Sequence, residues 1–236
     1  MWEHAGLKPT LDFEEGEILL VDKPIDWTSF DVVARVRSMF KIGKIGHAGT
    51  LDPKATGLLI LCTGKMTKSM IEFQNLNKEY TGKIELGATT KSFDSETEII
   101  KTKAVINVTS AQIENVFRSF VGSYQQLPPM FSAIKKNGRR LYKDARKGKE
   151  VERESRTVQI HELEVTSLDV PVVNFRVVCS KGTYIRSLAN DIGQKLGCGA
   201  YLKELRRTKI GEYAVEDAMR MDQIHLLQQK LQEVTV

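Results

Sequence analysis

The segment GHAGTLDPKATG, residues 46–57, decides how this 236-residue chain is interpreted. It holds three glycines, one histidine, one aspartate and one proline, so four of its twelve positions carry a glycine or a proline, the residues that most affect backbone conformation. Because Pro53 disfavours the α region for the residue before it, Asp52 does not lie inside a helix. Three interpretations follow: a phosphate-binding loop, a turn in which Asp52 caps a helix, or a rigid mount that presents one catalytic carboxylate.

The phosphate-binding interpretation fails on the context of the loop. A Walker loop requires GxxxxGK[ST], and a dinucleotide-binding fingerprint requires GxGxxG directly after a strand. Here Gly43, Gly46 and Gly49 follow a predicted helix, and the chain contains no Gly-Lys-Ser or Gly-Lys-Thr. With Pro53 at a first helical position, Asp52 would be an ordinary N-cap. The residues alone leave two interpretations open: Asp52 as a helix N-cap, and Asp52 as a catalytic carboxylate held on a rigid loop.

The hydrophobic periodicity around the loop predicts an α+β fold with a mainly antiparallel central sheet flanked by helices. Thr28 and Asp31 form a capping box that opens a helix, and Gly43 is expected to end it. No internal repeat or long linker is visible, so residues 1–236 are predicted to form a single domain. Strands are predicted over 17–21, 58–62, 80–87, 158–168 and 172–179, and further helices over 110–121, 183–196 and 222–232.

The positive charge of the chain is concentrated in one segment. The chain has 35 Lys and Arg against 30 Asp and Glu, a net charge of +5. Residues 135–156 (KKNGRRLYKDARKGKEVERESR) contain ten basic and four acidic residues, a local charge of +6, so the remainder balances at −1. Such a segment is often only a solvated face, but a cationic run on a near-neutral body is also the footprint of a nucleic-acid-binding element.

Other features of the composition narrow the class of protein. The longest apolar run, residues 58–62, is far shorter than the roughly 18 residues of a membrane span. The N-terminus lacks the basic and apolar regions of a secretory signal, so a cytoplasmic location without membrane attachment is expected. Three scattered cysteines and four isolated histidines predict neither a disulfide framework nor a metal site.

Several motifs, in order from about residue 17 to 217, resemble those of the TruB family of tRNA pseudouridine synthases. The catalytic motif of that family resembles GHAGTLDPKATGLLILCTGKMTK in this chain. Its N-terminal motif resembles LLVDKPIDWTSFDVV, and its tyrosine-bearing strand resembles KEYTGKIELG. PPMFSAIKKNGRRLYKDARKGKEV resembles the RNA-gripping insertion, and CSKGTYIRSLANDIGQKLGCGAYLKELRRTKIG the second active-site segment. The resemblance implies the pseudouridine synthase catalytic fold, with a basic RNA-binding insertion at 127–156 and a C-terminal helix at 218–236. Many members continue into a C-terminal RNA-binding domain, and the absence of that domain is expected here as a departure from the pattern.

The resemblance also implies a reaction: the isomerisation of the T-loop uridine of tRNA to pseudouridine, with base flipping. Asp52 would be the catalytic carboxylate, which either attacks the ribose covalently or removes a ribose proton to give a glycal. Arg186 would be the partner of that carboxylate. Tyr80, the third catalytic residue, would stack on the flipped uracil and take its C5 proton. Without the resemblance, Arg186 would equally be a surface helix arginine and Tyr80 a core aromatic.

The remaining implied residues contact the substrate. His47 would occupy the gap left by the flipped nucleotide, although a lone histidine is more often a structural hydrogen-bonding group. Tyr184 and Leu205 would line the uracil pocket, Asp94 would belong to a substrate-side loop, and Lys23 and Pro24 would support the active-site loop. RNA-binding residues are expected at Lys135, Lys136, Arg139, Arg140, Lys143, Arg146, Lys147, Arg206 and Arg207.

The resemblance implies no cofactor and no metal, the T-arm of tRNA as partner, no obligatory protein partner and a monomer. The loop at 90–98 departs from the family pattern, with Lys91 and Thr97 where many members have an acidic residue and a glycine. Three alternatives remain: a guide-RNA-dependent pseudouridine synthase, a tRNA-folding chaperone that acts by binding alone, and an aspartate-dependent hydrolase that releases uracil.

Overall fold

The computed structural model describes residues 11–106, 108–132, 134–136 and 138–234. Its strands are β1 (Ile18–Lys23), β2 (Ile45–His47), β3 (Ala55–Thr63), β4 (Lys78–Leu86), β5 (Ala88–Thr90), β6 (Ile99–Thr102), β7 (Gly122–Gln126), β8 (Lys135–Lys136), β9 (Arg139–Arg140), β10 (Arg156–Asp169), β11 (Val172–Cys179), β12 (Ala200–Ile210) and β13 (Tyr213–Ala214). Its α-helices are α1 (Ser29–Phe40), α2 (Met70–Asn75), α3 (Ser110–Arg118), α4 (Leu141–Ala145), α5 (Ile185–Lys195) and α6 (Met221–Val234). Short 3-10 helices occupy Gly64–Ser69 and Val215–Asp217.

The described residues form two compact units. The first takes the residues up to Tyr80 and those from Arg206 onward, and the second takes Thr81–Leu205. The chain passes from one unit to the other within β4 and again within β12. The sequence-based expectation of a single domain therefore stays a prediction.

The first unit is built around β3, the strand that follows the opening segment. The strand order is β1-β3-β12, with β2 also paired to β3 and β13 to β12. β1 pairs antiparallel with β3 from Ile18 opposite Cys62 to Lys23 opposite Gly57. Alternate side chains of β3 face opposite sides of the sheet, and both sides are buried. Leu59 and Leu61 pack with α1 and α6 in one cluster, whereas Leu58, Ile60 and Cys62 belong to another.

Helix α1 begins where the sequence predicts and ends earlier. The Thr28 hydroxyl accepts from the backbone N–H of Asp31, and the Asp31 carboxylate accepts from the backbone N–H of Thr28, so the predicted capping box is confirmed. The predicted stop at Gly43 is wrong. The helix ends at Phe40 because Lys41 takes a left-handed conformation at φ 53° and donates its backbone N–H to the carbonyl of Arg37.

The second unit carries the remaining large strands. Its strand order is β12-β4-β11-β10-β7, and β10 pairs antiparallel with both β11 and β7. Two small antiparallel sheets, β5-β6 and β8-β9, lie off this order. Helix α3 packs on the sheet through Phe117, whose ring centroid lies 6.5 Å from that of Phe175. Antiparallel pairing together with flanking helices confirms the predicted α+β class.

Helix α3 is shorter than predicted. The apolar stripe indicated a helix over 110–121, but the α-helix ends at Arg118. The next three residues form a tightened turn, in which the N–H of Phe120 bonds to the carbonyl of Phe117 and that of Val121 to Arg118. Val121 is 46% exposed, so it does not belong to the buried face of the helix. Gly122, at φ 106°, then turns the chain into β7.

Candidate active site

Asp52 lies in the connection between β2 and β3, and its side chain is half-buried. Its carbonyl accepts from the N–H of Ala55, which closes a turn, and Ala55 already begins β3. No helix starts at Pro53, so the interpretation of Asp52 as a helix N-cap is wrong. The carboxylate is therefore presented from a turn between two antiparallel strands.

The residues on either side of Asp52 are fixed by hydrogen bonds from distant segments. The Ser29 hydroxyl, in the first turn of α1, accepts from the N–H of Leu51 at 2.9 Å and donates to the carbonyl of Leu51 at 3.2 Å. On the other side, the carbonyl of Pro53 accepts from the backbone N–H of Asp26 at 2.9 Å. A short segment held on both sides places its side chain in a reproducible position, as a catalytic group requires.

Lys23 also supports the turn, through a hydrogen bond to the carbonyl of Pro53. Its side chain is fully buried, and its Nζ donates to the carbonyls of Pro24 at 2.8 Å, Trp27 at 2.5 Å and Pro53 at 3.3 Å. Burial lowers the pKa of Lys23 to about 8, while the nearby carboxylates of Asp52 and Asp26 act in the opposite direction. Lys23 thus links the N-terminal motif to the loop that carries Asp52, in agreement with its expected supporting role.

Arg207 differs from its sequence-based assignment as an RNA-binding residue. The side chain is 1% exposed, and its guanidinium donates from Nε to the carbonyl of Leu58 at 2.7 Å and from Nη2 to the carbonyl of Gly49 at 3.0 Å. No carboxylate of the described residues lies within 4.0 Å of that guanidinium. A side chain enclosed in this way does not reach an RNA phosphate. Instead, Arg207 ties together the two ends of the loop, residues 49–58.

One glycine of the loop is required by this arrangement. Gly57 has φ 102°, and a Cβ at that position would lie 2.3 Å from the backbone carbonyl oxygen of Arg207. Gly49 also has a left-handed φ of 99°, but a Cβ there would meet only Nη1 of Arg207, at 3.6 Å. The close approach of another backbone segment to this loop therefore occurs at Gly57.

Arg206, the neighbour of Arg207, has the opposite orientation. Its side chain is 41% exposed, and its two terminal nitrogens lie 3.0 Å and 2.7 Å from the two carboxylate oxygens of Asp22. This paired geometry is the strong form of an arginine–carboxylate contact. The RNA-binding role of Arg206 stays a prediction.

His47 and Tyr80 are the other predicted site residues of the first unit. His47 lies at the end of β2, opposite Leu61 of β3, and its ring is half-buried. Its Nδ1 is buried and has no hydrogen-bond partner among the described residues. Burial, followed by the positive charge of Arg207, lowers the pKa of His47, which keeps the ring neutral near pH 7. Tyr80 lies on β4 and is 8% exposed.

Arg186 is buried in the second unit, which excludes the alternative of a surface arginine. It lies in the first turn of α5 and is 3% exposed. Its Nη1 donates to the carbonyl of Ser92 at 3.2 Å and its Nη2 to the carbonyl of Phe131 at 2.9 Å. Its Nε lies 3.4 Å from Oδ2 of Asp94, whose side chain is 5% exposed. The acidic residue expected in a substrate-side loop is therefore an ion-pair partner of Arg186.

The loop that carries Asp94 is ordered by its own hydrogen bonds. Oδ1 of Asp94 accepts from the N–H of Glu96 at 2.9 Å, and the Thr90 hydroxyl donates to the carbonyl of Asp94 at 2.7 Å. Thr97, one of the two departures from the family pattern, accepts through its hydroxyl from the N–H of Ser92 at 3.0 Å. Thr97 thus stabilises the loop internally, while Lys91 is exposed.

Tyr184 and Leu205 are half-buried in the second unit, at the start of α5 and on β12. The Gln126 side chain hydrogen-bonds both the N–H and the carbonyl of Tyr184. The guanidinium carbon of Arg156 lies 4.6 Å from the centroid of the Tyr184 ring. Sequence reasoning singled out neither of these two residues. An isolated glutamine and an arginine at the end of a charged run carry no signal that points to an aromatic side chain many residues away.

The basic segment is only partly described. The side chains of Lys135, Lys136, Arg139, Arg140 and Lys143 lie outside the described residues, although their backbones form β8, β9 and part of α4. Arg146 and Lys147 are exposed. The Arg146 guanidinium lies 5.6 Å from the Tyr142 ring centroid and 3.7 Å from a carboxylate oxygen of Glu96.

Metal binding and membrane insertion are two further properties on which the described residues bear. Within the described ranges, no three or more His, Cys, Asp or Glu side chains cluster so as to hold a metal ion. No helix in the same part of the chain is long and apolar enough to cross a membrane.

Both family models that match the chain describe pseudouridylate synthases. The model of the TruB family pseudouridylate synthase N-terminal domain matches residues 37–185. The model of the tRNA pseudouridylate synthase B C-terminal domain matches residues 186–234. The chain belongs to the TruB family.

Curated relatives match almost the whole chain. A protein of Chloroherpeton thalassium named tRNA pseudouridine synthase B is 50% identical over 215 residues, which cover 89% of each chain. A protein of the same name from Flavobacterium johnsoniae is 50% identical over 228 residues, 94% of this chain and 98% of its own.

Solved structures share the fold over a similar range. A chain of a Cbf5-Nop10-Gar1 complex aligns with a TM-score of 0.74 and 30% identity over 95% of this chain. A chain of an H/ACA RNP bound to a substrate RNA containing 2′-deoxyuridine aligns with a TM-score of 0.71 and 27% identity. The present chain spans 57% and 56% of the length of those two chains.

Proposed function

We propose that this protein is a tRNA pseudouridine synthase that isomerises the T-loop uridine to pseudouridine in the cytoplasm, without a cofactor, a guide RNA or a partner protein. The support is its membership of the TruB family and its identity of about 50% to proteins named tRNA pseudouridine synthase B. The observation that carries the proposal is the mounting of Asp52: the turn is held on both sides by Ser29, Lys23 and Asp26.

Asp52 is proposed to act on the sugar of the flipped nucleotide. The reaction breaks the bond between C1′ and N1 of uridine and forms a bond between C1′ and C5. The uracil loses the proton on C5 and gains one on N1, so no redox partner or co-substrate is needed. Asp52 either attacks C1′ or removes a ribose proton, and both routes require its carboxylate to be ionised. Arg186 is proposed to supply the compensating positive charge.

The remaining residues are proposed to hold the flipped base and its surroundings. Extrusion of a base costs a few kcal/mol, and stacking on an aromatic ring returns about 1–3 kcal/mol. Tyr80 is proposed as the stacking partner, and Tyr184 and Leu205 as walls of the uracil pocket. A neutral His47 suits a side chain that fills the space vacated by the uridine, because it adds no buried charge there.

The basic segment is proposed to bind the phosphates of the T-arm, through Arg146, Lys147 and the five residues whose side chains lie outside the described part. Each neutralised phosphate releases counterions, so the logarithm of affinity falls by about 0.7–0.9 per contact for each tenfold increase in salt. RNA affinity that does not change with salt would contradict this role.

The proposal is tested by incubating the purified protein with an unmodified T-arm stem-loop RNA, with no guide RNA and no second protein. Pseudouridine has the mass of uridine, so a mass-adding label specific for pseudouridine is used for detection. We expect pseudouridine at the T-loop position and none in an RNA with cytidine there. Absence of product, or release of free uracil, would contradict the proposal; the second result would indicate a hydrolase.

A further inference from the structure

Two residues paired across neighbouring strands both reach Tyr184. Gln126 is the last residue of β7 and Arg156 the first of β10, and the two lie directly opposite each other in the antiparallel register. Side chains of residues directly opposite each other lie on the same face of a sheet. Gln126 fixes the backbone of Tyr184, and Arg156 contacts its ring.

The backbone contact is a two-point bond. Oε1 of Gln126 accepts from the N–H of Tyr184 at 2.7 Å, and Nε2 donates to the carbonyl of Tyr184 at 2.9 Å. Tyr184 is the N-cap of α5 and makes no side-chain cap hydrogen bond of its own. Because Gln126 is fully buried, this amide pair is shielded from water and holds the start of the helix firmly.

The ring contact places a guanidinium beside Tyr184. The guanidinium carbon of Arg156 lies 4.6 Å from the ring centroid, within the range of cation–π attraction. Gly182 lies next to the same guanidinium: a Cβ there would make ordinary van der Waals contact with three of its atoms at 3.6–3.7 Å, so it is the φ of 79° rather than space that favours glycine. The positive charge of Arg156 therefore lies over the Tyr184 ring.

Arg156 also differs in charge pairing from the other arginines of its unit whose side chains the structure describes. Each of the others pairs with a carboxylate: Arg118, Arg146, Arg153 and Arg176 with a glutamate, and Arg186 with Asp94. Across the described ranges, no carboxylate lies within 4.0 Å of Arg156, and no hydrogen bond joins its guanidinium to another residue. Its Nε is buried without a hydrogen-bond partner.

An arginine with no carboxylate partner and with unused hydrogen-bond donors is suited to bind an anion. A half-buried guanidinium with unused donors gains most from a ligand that supplies both negative charge and several acceptor oxygens. Phosphate provides both, and arginine is the residue that binds it in a two-point geometry.

We propose that Arg156 binds a backbone phosphate of the RNA next to Tyr184, and that the same stacking contact positions the Tyr184 ring for the target base. This inference rests on the proposed function and adds to it one contact at the C-terminal end of the basic segment, with a second role in positioning Tyr184. The phosphate neutralises the charge of Arg156. Gln126 holds the backbone of Tyr184 in place when RNA binds and dissociates.

The test is equilibrium binding of T-arm stem-loop RNA over a series of salt concentrations, with turnover measured in parallel. Arg156→Gln and Arg156→Met remove the positive charge. Arg156→Lys keeps the charge but lacks the planar guanidinium that contacts the Tyr184 ring. Arg118→Gln, which removes an exposed charge paired with Glu114 on α3, is the matched control. Thermal melting of each variant reports folding.

We expect the charge-removing variants to bind about 10-fold more weakly at low salt, the loss of one charged hydrogen bond. The log–log salt slope should fall by about 0.7–0.9, one phosphate contact. Arg156→Lys should keep the wild-type slope and lose kcat, because the Tyr184 ring is held less well. Arg118→Gln should match the wild type in slope, affinity and kcat.

An unchanged slope and affinity in Arg156→Gln or Arg156→Met would overturn the proposal. So would failure of both to fold while Arg156→Lys folds, because that result assigns the charge to structure rather than to RNA. Binding is measured independently of product formation. A wild-type protein that binds RNA with an Arg156-dependent slope but forms no pseudouridine would contradict the proposed function and leave this inference standing.

Discussion

Arg186 and Asp94 form a buried ion pair: Nε of Arg186 lies 3.4 Å from Oδ2 of Asp94, and neither side chain is more than 5% exposed. Such a pair is weak evidence for net stabilisation, because desolvation offsets much of the attraction. Loss of one partner is different, since it removes a neighbouring opposite charge from a group that stays buried. The stability of helix α5 and that of the loop that carries Asp94 are therefore coupled through this pair.

Arg186→Ala and Asp94→Asn are each expected to lower the free energy of unfolding by about 3–5 kcal/mol. Both should also reduce turnover, because Arg186 is the proposed partner of the catalytic carboxylate. Denaturant unfolding and kcat for each variant, and for the double variant, provide the measurement. The double variant should lose less than the sum of the two single changes.

The exposed pair Arg118 and Glu114 on α3 is the control, for which a loss of about 0.3–0.5 kcal/mol is expected. Wild-type turnover with an unchanged melting temperature in Arg186→Ala would show that the buried pair has neither role.

Arg207→Lys is expected to lower kcat with little effect on RNA affinity. One ammonium on a flexible stem does not reproduce the guanidinium geometry that bonds both Leu58 and Gly49, so the ends of the Asp52 loop become less fixed. Loss of one charged hydrogen bond costs about 1.5–3 kcal/mol of stability. If the variant has a normal kcat but binds RNA more weakly and with less salt dependence, Arg207 contacts RNA and this account of its role is wrong.

Gly57→Ala is expected to destabilise the protein strongly. Its Cβ would lie 2.3 Å from a backbone oxygen of Arg207, and φ is 102°, so both sterics and backbone conformation oppose the change. We expect a loss of more than about 1–3 kcal/mol, the usual cost of overpacking, because the opposing atom belongs to the backbone. Gly43→Ala, where a Cβ meets nothing within 4 Å, is the control. Equal melting temperatures for the two variants would contradict the close approach.

Lys23 is expected to produce a specific pH dependence of stability. Burial lowers its pKa in the folded protein to about 8, against an ordinary value of 10.5. Between those two pH values the unfolded chain binds more protons at Lys23 than the folded protein, so stability rises with pH. The full difference corresponds to about 3 kcal/mol.

The comparison is with Lys23→Met, which lacks this titration. Denaturant unfolding from pH 7 to 10.5 should show the wild type gaining stability relative to the variant above about pH 8. A difference between the two that stays constant, or that shrinks with pH, would show that Lys23 is not desolvated in the folded state.

The local signals of the sequence predicted much of the fold. The Thr28–Asp31 capping box and strand β11 are found as expected because short-range hydrogen bonding and period-2 alternation determine them. Strand β12 was not predicted, since its sequence AYLKELRRTKI is rich in charged residues and is held by its partners in the sheet. Recognition of β12 would have corrected one assignment: adjacent residues of a strand face opposite sides, so Arg206 and Arg207 do not share a role.

The sequence identified the loop that carries the candidate catalytic residue, but not the residues that hold this loop in place. The motif around Asp52 identifies the carboxylate, because glycine and proline spacing marks the loop. The residues that hold the loop come from elsewhere, namely Ser29, Lys23 and Arg207, and their contacts depend on tertiary structure. Spacing along the chain carries no information about such pairs.

The central claim is that the Asp52 carboxylate performs the chemistry. Its most direct test is label-detected pseudouridine formation by Asp52→Asn in T-arm RNA, with RNA binding measured on the same preparation. Asp222→Asn, a change at an exposed residue in the first turn of α6, is the matched control. We expect Asp52→Asn to bind the RNA and form no pseudouridine, while Asp222→Asn forms it at the wild-type rate. Pseudouridine formation by Asp52→Asn at the wild-type rate would contradict the account.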